Sequence, residues 1–480
     1  MDNKMIIYQL LPRLFGNTNE NCIPNGNLSE NGTGKFSDIS EKVLIALKKL
    51  SISHIWYTGI IEHSMFPDEG AKGLAGSPYA VKDYYDVNSY LADNPSERMT
   101  EFEALVSRTK KVGLGVLLDF IPNHVAVSYK SDIAKLKGYK DFEDKNFFEG
   151  RIHDGDWTDT VKLNYHHPDT WDKMTDILLY WASKGISGFR CDMVELVTPA
   201  FWERTIPRIK SQYPDIIFIA EIYQKENYWK YINAGFDYLY DKSGLYDTLR
   251  AISTSGWSAS EITRCWQETG DLQPKMLYFL ENHDEQRLAS DFFLGDARKA
   301  LPLLYVSLFF NTSSFMHYFG QEFGEKGMDH EGFSSVDGRT SIFDFWSLSC
   351  IRRWLKGVRA NSDLKYLTSE EKAIYKNYVR LYKLASTVPA FYKGKTFDLQ
   401  YVNPTSSDYN NNRQFSFLRC EEKELYLCVV NFDDNHVNLK INIPKDAFDY
   451  FEIEQDEQLY SNKPIEVSVD ANNGILVRLK

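Results

Sequence analysis

Several features that define whole classes of protein are missing from this 480-residue sequence. There is no basic surplus, because 67 acidic and 55 basic residues leave a net charge of −12, which argues against a nucleic-acid-binding protein. No apolar run reaches the roughly 18 residues that cross a bilayer, so we expect no contact with a membrane. The sequence starts without signal-peptide features, which predicts a cytoplasmic protein; a secreted protein whose signal had been removed would read the same.

The cysteines and the absence of several catalytic motifs exclude further classes. The six cysteines show neither a C-x-x-C pair nor a regular spacing, which is typical of reduced, buried thiols. No H-E-x-x-H motif, G-x-S-x-G motif or dinucleotide-binding turn is present. Gly394-Lys395-Thr396 matches the end of a P-loop, but Pro389 stands where the first glycine belongs. None of these motifs therefore indicates the function of the chain.

What the sequence does contain is a series of short apolar segments bounded by glycine, proline or asparagine. Their near-continuous apolar character predicts parallel strands that are buried on both faces. Eight such segments occur before residue 320: Met5–Leu10, His54–Thr58, Gly115–Phe120, Gly188–Asp192, Ile216–Glu221, Phe236–Tyr240, Met276–Glu281 and Ser314–Phe319.

Amphipathic stretches lie between most of these segments and predict helices. Asp38–Leu50, Ser96–Val112 and Pro168–Lys184 carry apolar residues at helical spacing, and Thr198 is a candidate cap for a helix that starts at Pro199. Eight alternations of strand and helix predict an α/β fold, a (β/α)8 TIM barrel with insertions. An open, doubly wound sheet is the alternative.

Two parts of the chain depart from this alternation. Residues 125–164 are charged and glycine-containing, and we interpret them as a small subdomain inserted after the third strand. After about Pro389 the apolar residues alternate with period two around Asn- and Asp-rich turns, which predicts a C-terminal antiparallel β domain over 389–480. The catalytic barrel would then comprise residues 1–124 and 165–388.

Acidic residues recur where the predicted barrel strands end, which is the rim that carries active sites in such barrels. Clustered carboxylates repel one another, so they tend to mark chemistry or a bound metal. Glycoside hydrolysis needs one protonated carboxylic acid and one carboxylate on either side of the bond. Oxygen ligands also suit calcium, so a metal site is the alternative reading for Asp119, Asn123 and Asp284. The strand-end candidates are Asp119, Asn123, His124, Arg190, Asp192, Glu221, His283 and Asp284.

Four of these strand ends resemble the signature segments of the α-amylase family, glycoside hydrolase family 13. The segments are DFIPNH at 119–124, GFRCD at 188–192, AEIY at 220–223 and ENHDEQR at 281–287, and their order matches that of the family. IIYQLLPRLFGN at 6–17 resembles the first strand of the family, and PYAVKDYYDVN at 78–88 resembles the segment that supplies a sugar-stacking tyrosine.

The resemblance implies a role for each matching residue. Asp192 would be the nucleophile, Glu221 the general acid and then the general base, and Asp284 the carboxylate that binds the sugar hydroxyls of the distorted ring. Arg190 would keep Asp192 ionised, and Asp119 would be a supporting acid. His124 and His283 would bind sugar hydroxyls, and Tyr79 would stack on a sugar ring. The implied chemistry retains the anomeric configuration and needs no cofactor.

The sequence departs from the family pattern just after the proposed nucleophile. Many amylases carry lysine and histidine three and four residues after it, where this chain has Glu195 and Leu196. The glutamate puts the acceptor-side preference in doubt. The loss of the histidine removes one feature of the family's calcium site and leaves Asn123 as the candidate calcium ligand.

Three functions fit these observations. The first is hydrolysis of α-1,4-glucosidic bonds in starch-like glucans or maltooligosaccharides. The second is a transglycosylase that passes the same glycosyl unit to a sugar, and the third is a non-catalytic carbohydrate-binding barrel. Aromatic candidates for the rim of the site are Tyr84, Tyr85, Trp157, Trp171 and Tyr223. After the eighth strand, Phe343, Phe345 and Trp346 could form one wall of the cleft or pack the last loop.

Overall fold

The structure is a computed structural model that describes residues 3–129, 157–330, 336–453 and 463–480. Eight parallel strands close into a barrel in the order β1-β2-β5-β8-β9-β10-β11-β12, and this confirms the TIM barrel over the open sheet. The barrel strands are β1 Ile6–Leu10, β2 His54–Tyr57, β5 Gly115–Phe120, β8 Gly188–Cys191, β9 Ile217–Ala220, β10 Tyr238–Tyr240, β11 Met276–Phe279 and β12 Ser314–Tyr318.

Each of the eight predicted segments contains one barrel strand, because each has enough apolar side chains for both faces of the barrel wall. Residues that point inwards form a small core inside the barrel, with Trp56, Leu117 and Ile219 among its members. Residues that point outwards pack under the helices, as Phe189 and Cys191 do. This alternation decides which polar residues at the strand ends face the barrel axis.

Helices cover the outside of the barrel and match the amphipathic stretches. Pro199 is the first residue of α6, as predicted, but the Thr198 side chain makes no capping hydrogen bond, so that part of the prediction is wrong. The Thr198 backbone is extended at the start of the helix without bringing its hydroxyl to a free N–H group. The helices described for the barrel are α1 Pro12–Phe15, α2 Leu28–Asn31, α3 Glu41–Lys48, α4 Arg98–Lys111, α5 Pro168–Ser183, α6 Pro199–Gln212, α7 Tyr228–Asn233, α8 Asp247–Thr254, α9 Glu261–Thr269, α10 Leu301–Phe309, α11 Ser349–Arg359 and α12 Ser369–Thr387.

Two short hairpins extend above the carboxyl ends of the barrel strands. β3 Ile61–His63 pairs with β4 Val81–Val87, and β6 His124–Ala126 pairs with β7 Thr160–Lys162. The second pair brackets most of the predicted subdomain at 125–164, and residues 130–156 lie outside the described part of the chain. The subdomain therefore stays a prediction.

The C-terminal region forms antiparallel sheets, as predicted. β13 Lys395–Asp398, β14 Gln414–Glu421, β15 Glu424–Asn431 and β18 Asn473–Arg478 make one sheet, and β16 Val437–Ile441 pairs with β17 Ile465–Val469. Two short helices, α13 Pro389–Tyr392 and α14 Lys445–Phe451, accompany them. Phe310, at the end of α10, packs against Phe415 and Phe417 at ring separations of 4.9 Å and joins this region to the barrel.

The cysteines agree with the prediction of reduced, mostly buried thiols. All six cysteines are free thiols, and five of them are buried. Within the described residues, no helix is both long enough and apolar enough to cross a bilayer.

Candidate active site

The carboxyl ends of β5 and β8 place an acid and a base side by side. Asp119 and Arg190 are direct partners in the strand register, and both side chains are buried inside the barrel mouth. Their neighbours Phe120 and Cys191 point outwards, because side chains alternate along a strand. The same alternation returns Asp192, two residues beyond Arg190, to the inner face.

Arg190 is the electrostatic centre of this cluster. Its guanidinium lies 2.7 Å from Asp192 Oδ1, 2.6 Å from Glu221 Oε1 and 3.6 Å from Asp119 Oδ1. The aromatic rings of Trp56, Tyr79 and Tyr240 surround the same group, with centroids 5.3–5.5 Å from the guanidinium carbon. The planar guanidinium therefore meets two carboxylates at once and fixes their separation.

The single positive charge of Arg190 cannot neutralise four buried carboxyl groups, and the pKa values of all four are raised. These groups are Asp119, Asp192, Glu221 and Asp284. Burial raises the pKa of Glu221 to about 7, and repulsion by Asp192 adds to the effect while Arg190 opposes it. Burial, followed by the charge of Glu221, raises the pKa of Asp284 to about 7, although 38% of its side chain is open to the cleft. Burial also raises the pKa of Asp192, against the Arg190 charge and hydrogen bond and a further hydrogen bond with Glu221. The arrangement favours a protonated Glu221 beside an ionised Asp192.

A chain of hydrogen bonds supports the other side of the cluster. Gln9 Nε2 donates to His283 Nδ1 at 2.9 Å, so the ring proton lies on Nε2. That nitrogen donates to the Tyr79 hydroxyl oxygen at 2.5 Å, and the Tyr79 hydroxyl donates to Asp119 Oδ1 at 3.3 Å. Burial and the nearby Arg190 charge hold the pKa of His283 well below its usual range, so the ring is neutral.

Glu221 is held by three groups besides Asp192. Its Oε2 accepts from the backbone N–H of Met193 at 2.8 Å, and its Oε1 accepts from the Tyr223 hydroxyl at 3.0 Å and contacts Arg190. Asp284 is placed by Asn282, whose side-chain oxygen accepts from the Asp284 backbone N–H at 2.8 Å. The carboxyl of Glu221 and the backbone that carries Asp284 are therefore held in place before any substrate binds.

These residues open into a cavity of about 440 Å³ at the carboxyl end of the barrel. Asp119 and Arg190 do not line the cavity; they lie beneath its floor and act through the residues above them. The predicted residues that do line it are Tyr79, His124, Asp192, Glu221, His283 and Asp284.

The rim aromatics divide into two groups. Trp157, Tyr223 and Phe343 line the cavity, whereas Phe345 and Trp346 are buried and do not line it. Tyr84 and Tyr85 are buried and do not reach it, and Trp171 packs against Phe201 instead. From the sequence alone, Tyr84 and Tyr85 are candidate sugar-binding residues, because no local feature shows that their strand is covered on both faces.

The calcium candidate Asn123 is buried, and its Nδ2 lies 3.2 Å from His124 Nδ1, so the amide orients that imidazole. The described acidic, histidine and cysteine side chains form one cluster in which three groups could share a cation, and this cluster lies on the β3–β4 hairpin. It consists of Glu62, Asp83 and Asp86 and includes neither Asp119 nor Asp284. Calcium at Asn123 stays a prediction.

Several residues of the site carry no sequence signal. Gln9 and Trp56 are inner-face residues of β1 and β2, and only the closed barrel shows that they reach His283 and Asp119. Lys72 and Asp159 line the cavity and form an ion pair of 3.0 Å between two loops distant in sequence.

Comparison with known proteins agrees with this geometry. The sequence model of the family described as "Alpha amylase, catalytic domain" matches residues 9–159 and 155–377. Alpha-amylase 2 of Dictyoglomus thermophilum is 24% identical over 453 residues, which cover 91% of this chain and 71% of that protein. Intracellular maltogenic amylase of Bacillus subtilis is 25% identical over 345 residues, which cover 67% of this chain and 55% of that protein.

A solved structure of an Anoxybacillus alpha-amylase has the same fold, with a TM-score of 0.71 at 19% identity over 99% of this chain and 97% of that one. The family model spans well over half of the sequence and includes all four strand-end segments. The chain belongs to the α-amylase family of glycoside hydrolases.

Proposed function

We propose that this protein is a retaining hydrolase of α-1,4-glucosidic bonds in starch-like glucans or maltooligosaccharides. The observation that carries the proposal is the single guanidinium of Arg190, which contacts Asp192 and Glu221 at 2.7 and 2.6 Å. Two carboxyls that share one guanidinium lie close together, which fits the short separation of retaining enzymes. An inverting enzyme keeps them farther apart to admit a water between them.

In the first step the Asp192 carboxylate attacks the anomeric carbon as the glycosidic bond breaks. The proton of Glu221 passes to the departing oxygen, which leaves as the hydroxyl of the released sugar. The raised pKa of Glu221, about 7, keeps this proton available near neutral pH. Asp284, at the open side of the cavity, holds hydroxyls of the distorted ring, and Arg190 keeps the nucleophile ionised.

In the second step a water molecule attacks the anomeric carbon of the glycosyl-enzyme. Glu221, now ionised, takes a proton from this water, and the bond to Asp192 breaks. Two displacements at one carbon restore the original anomeric configuration. His124 and His283 hold sugar hydroxyls, Tyr79 forms the stacking surface, and Asp119 supports Tyr79 from below.

The names of the relatives support an α-glucan substrate, since both are named as amylases. They favour hydrolysis over transglycosylation and over a non-catalytic role. The acid and the nucleophile are both supplied by the chain, so we propose that the chemistry itself needs no cofactor. A cytoplasmic location is supported by the six free thiols and by the intracellular relative.

The decisive experiment follows the products formed from maltooligosaccharides and from starch by NMR. We expect new reducing ends whose first anomer is α, and no products longer than the substrate. Initial release of the β anomer would contradict the retaining mechanism, and products longer than the substrate would favour transfer.

The residue assignment needs its own variant. Asp192→Asn keeps the shape of the side chain but removes the nucleophile, and we expect hydrolysis to fall by roughly four orders of magnitude or more. Asp172→Asn, on the exposed surface of α5, serves as the matched control and should keep full activity. Equal activity in Asp192→Asn and the wild type would contradict the assignment.

A further inference from the structure

The loop after β8 and the loop after β9 are joined by one side chain that the mechanism above does not use. Glu195 lies in the short turn Val194–Leu196, three residues beyond Asp192, and it is half-buried. Its Oε2 accepts from the backbone N–H groups of Tyr223 and Gln224, at 2.9 and 3.2 Å. Its Oε1 accepts from Asn227 Nδ2 at 2.9 Å.

These three bonds act on the loop that follows Glu221. Tyr223 lies two residues after Glu221, and its hydroxyl donates to Glu221 Oε1 at 3.0 Å. A carboxylate that accepts two consecutive backbone N–H groups fixes the backbone at Tyr223, and the backbone fixes where the ring projects. The chain of contacts therefore runs from Glu195 through Tyr223 to the carboxyl that moves the proton.

We propose that Glu195 is a positioning residue, which holds the Tyr223 hydroxyl on Glu221 and so sets the geometry and proton affinity of the general acid. The proposal rests on the proposed function, because it takes Glu221 as the acid. Lysine could not do this, since an ammonium has no acceptor for a backbone N–H. The departure from the family pattern at this position thus has a structural role within the same site.

The hydrogen bond from Tyr223 lowers the pKa of Glu221, which burial raises. If the bond is lost, the pKa of Glu221 rises further, and the acid stays protonated to higher pH. The other groups that act on Glu221 stay in place in a variant at Glu195, and comparison with Glu195→Gln, which also removes the charge of Glu195, isolates the contribution of Tyr223. These groups are Arg190, Asp192, Tyr240, Asp284 and the backbone N–H of Met193.

The test compares two substrates that differ in their need for an acid. A maltooligosaccharide needs its leaving oxygen protonated, whereas a maltosyl fluoride releases fluoride without a proton. In Glu195→Ala we expect kcat/KM for the oligosaccharide to fall roughly 10- to 100-fold, a part of what a general acid contributes, with less than about a threefold change for the fluoride. We also expect the alkaline limb of the kcat/KM profile to move to higher pH.

Two further variants distinguish a positioning role of Glu195 from a general structural effect of the substitution. Glu195→Gln keeps an oxygen that can accept from both N–H groups and should restore most of the activity. Glu226→Ala removes an exposed glutamate from the same loop and should match the wild type. Equal losses on both substrates, or no loss on either, would overturn the proposal.

Hydrogen–deuterium exchange measures the contact of Glu195 with the backbone of Tyr223 and Gln224 without depending on activity. Exchange of the amides of Tyr223 and Gln224 should accelerate in Glu195→Ala and not in Glu226→Ala, since Glu195 accepts from both amides. Unchanged exchange would overturn the positioning role even if the wild type is active. A wild type that cleaves neither substrate, with accelerated exchange in the variant, would instead refute the proposed function and leave the contact standing.

Discussion

The hydroxyl of Tyr79 lies 2.5 Å from Nε2 of His283, and the two rings are stacked with centroids 5.0 Å apart. The contact joins the connection between β3 and β4 to the end of β11, which lies three strands from β2 around the barrel. It fixes the neutral tautomer of His283 and aligns the flat face of Tyr79 along the cavity. The surface on which a sugar would stack is therefore set by a histidine 204 residues away.

Removing this hydroxyl isolates the contact without changing the stacking surface. In Tyr79→Phe the ring remains, but His283 Nε2 and Asp119 Oδ1 both lose a partner. We expect kcat/KM for maltooligosaccharides to fall about tenfold, in line with the loss of a buried hydrogen bond of about 1.5 kcal/mol. Tyr57→Phe is the matched control, because the Tyr57 hydroxyl bonds Thr109 under a helix. A loss in the control as large as in Tyr79→Phe would contradict the specific role.

The raised pKa of Glu221 predicts a variant that gains stability as it loses activity. The unfolded chain releases this proton near the ordinary pKa of 4.5, whereas the folded protein holds it up to about pH 7. Stability contributed by this group therefore falls as pH rises across that window. Glu221→Gln has no proton to release, so we expect a gain in the free energy of unfolding of roughly 1–3 kcal/mol at pH 8, which vanishes by about pH 4.5.

Denaturation curves at pH 4.5 and pH 8 measure this difference directly. Glu226→Gln, which changes an exposed side chain, is the control and should show no such pH dependence. If the gain of Glu221→Gln is the same at both pH values, its cause is packing and not the buried charge.

The variant Arg190→Lys tests whether a positive charge at this position is sufficient to organise the site. Arg190→Lys keeps the positive charge, but a single ammonium cannot meet Asp192 and Glu221 as the two guanidinium nitrogens do. We expect kcat to fall by more than about 100-fold, since both reactive carboxyls lose their fixed geometry. Arg204→Lys, at an exposed pair with Asp172, is the control and should be active. Near-normal turnover in Arg190→Lys would show that the bidentate geometry is dispensable.

The barrel and its catalytic rim follow from local sequence, for a physical reason. Parallel strands buried on both faces need continuous apolar runs, and their carboxyl ends must meet at one rim, so Asp119, Asp192 and Glu221 come together once the strands are recognised. The four matching segments then place the chain in its family.

The contacts between loops do not follow from local sequence. The partners Tyr79 and His283, or Lys72 and Asp159, are brought together only by closure of the barrel. Thr198 shows the same limit at short range, because its residue type suits a cap that its side chain does not make. Glu195 reads as a departure from the family pattern, and only the structure shows what it binds.

Lys72, Asp159 and Phe343 line the cavity together, and we expect this cluster to limit product length. Lys72 pairs with Asp159 at 3.0 Å, and Phe343 O accepts from Ala75 N at 3.0 Å. These segments follow β2, β5 and β12, whereas Glu221 ends β9, which stands opposite β1 in the ring.

The proposed mechanism places the leaving group beside Glu221, so we expect this cluster to bound the other, glycone end of the cavity. Lys72→Ala shortens the side chain there, and we expect the released glycosyl units to become longer in a product-length analysis of amylose digests. Its melting temperature should change little, because an ion pair with a side chain 36% exposed contributes about 1 kcal/mol or less. Lys72→Met keeps the volume without the charge and should give the wild-type lengths. An unchanged product pattern in Lys72→Ala would mean that this cluster does not bound the glycone site.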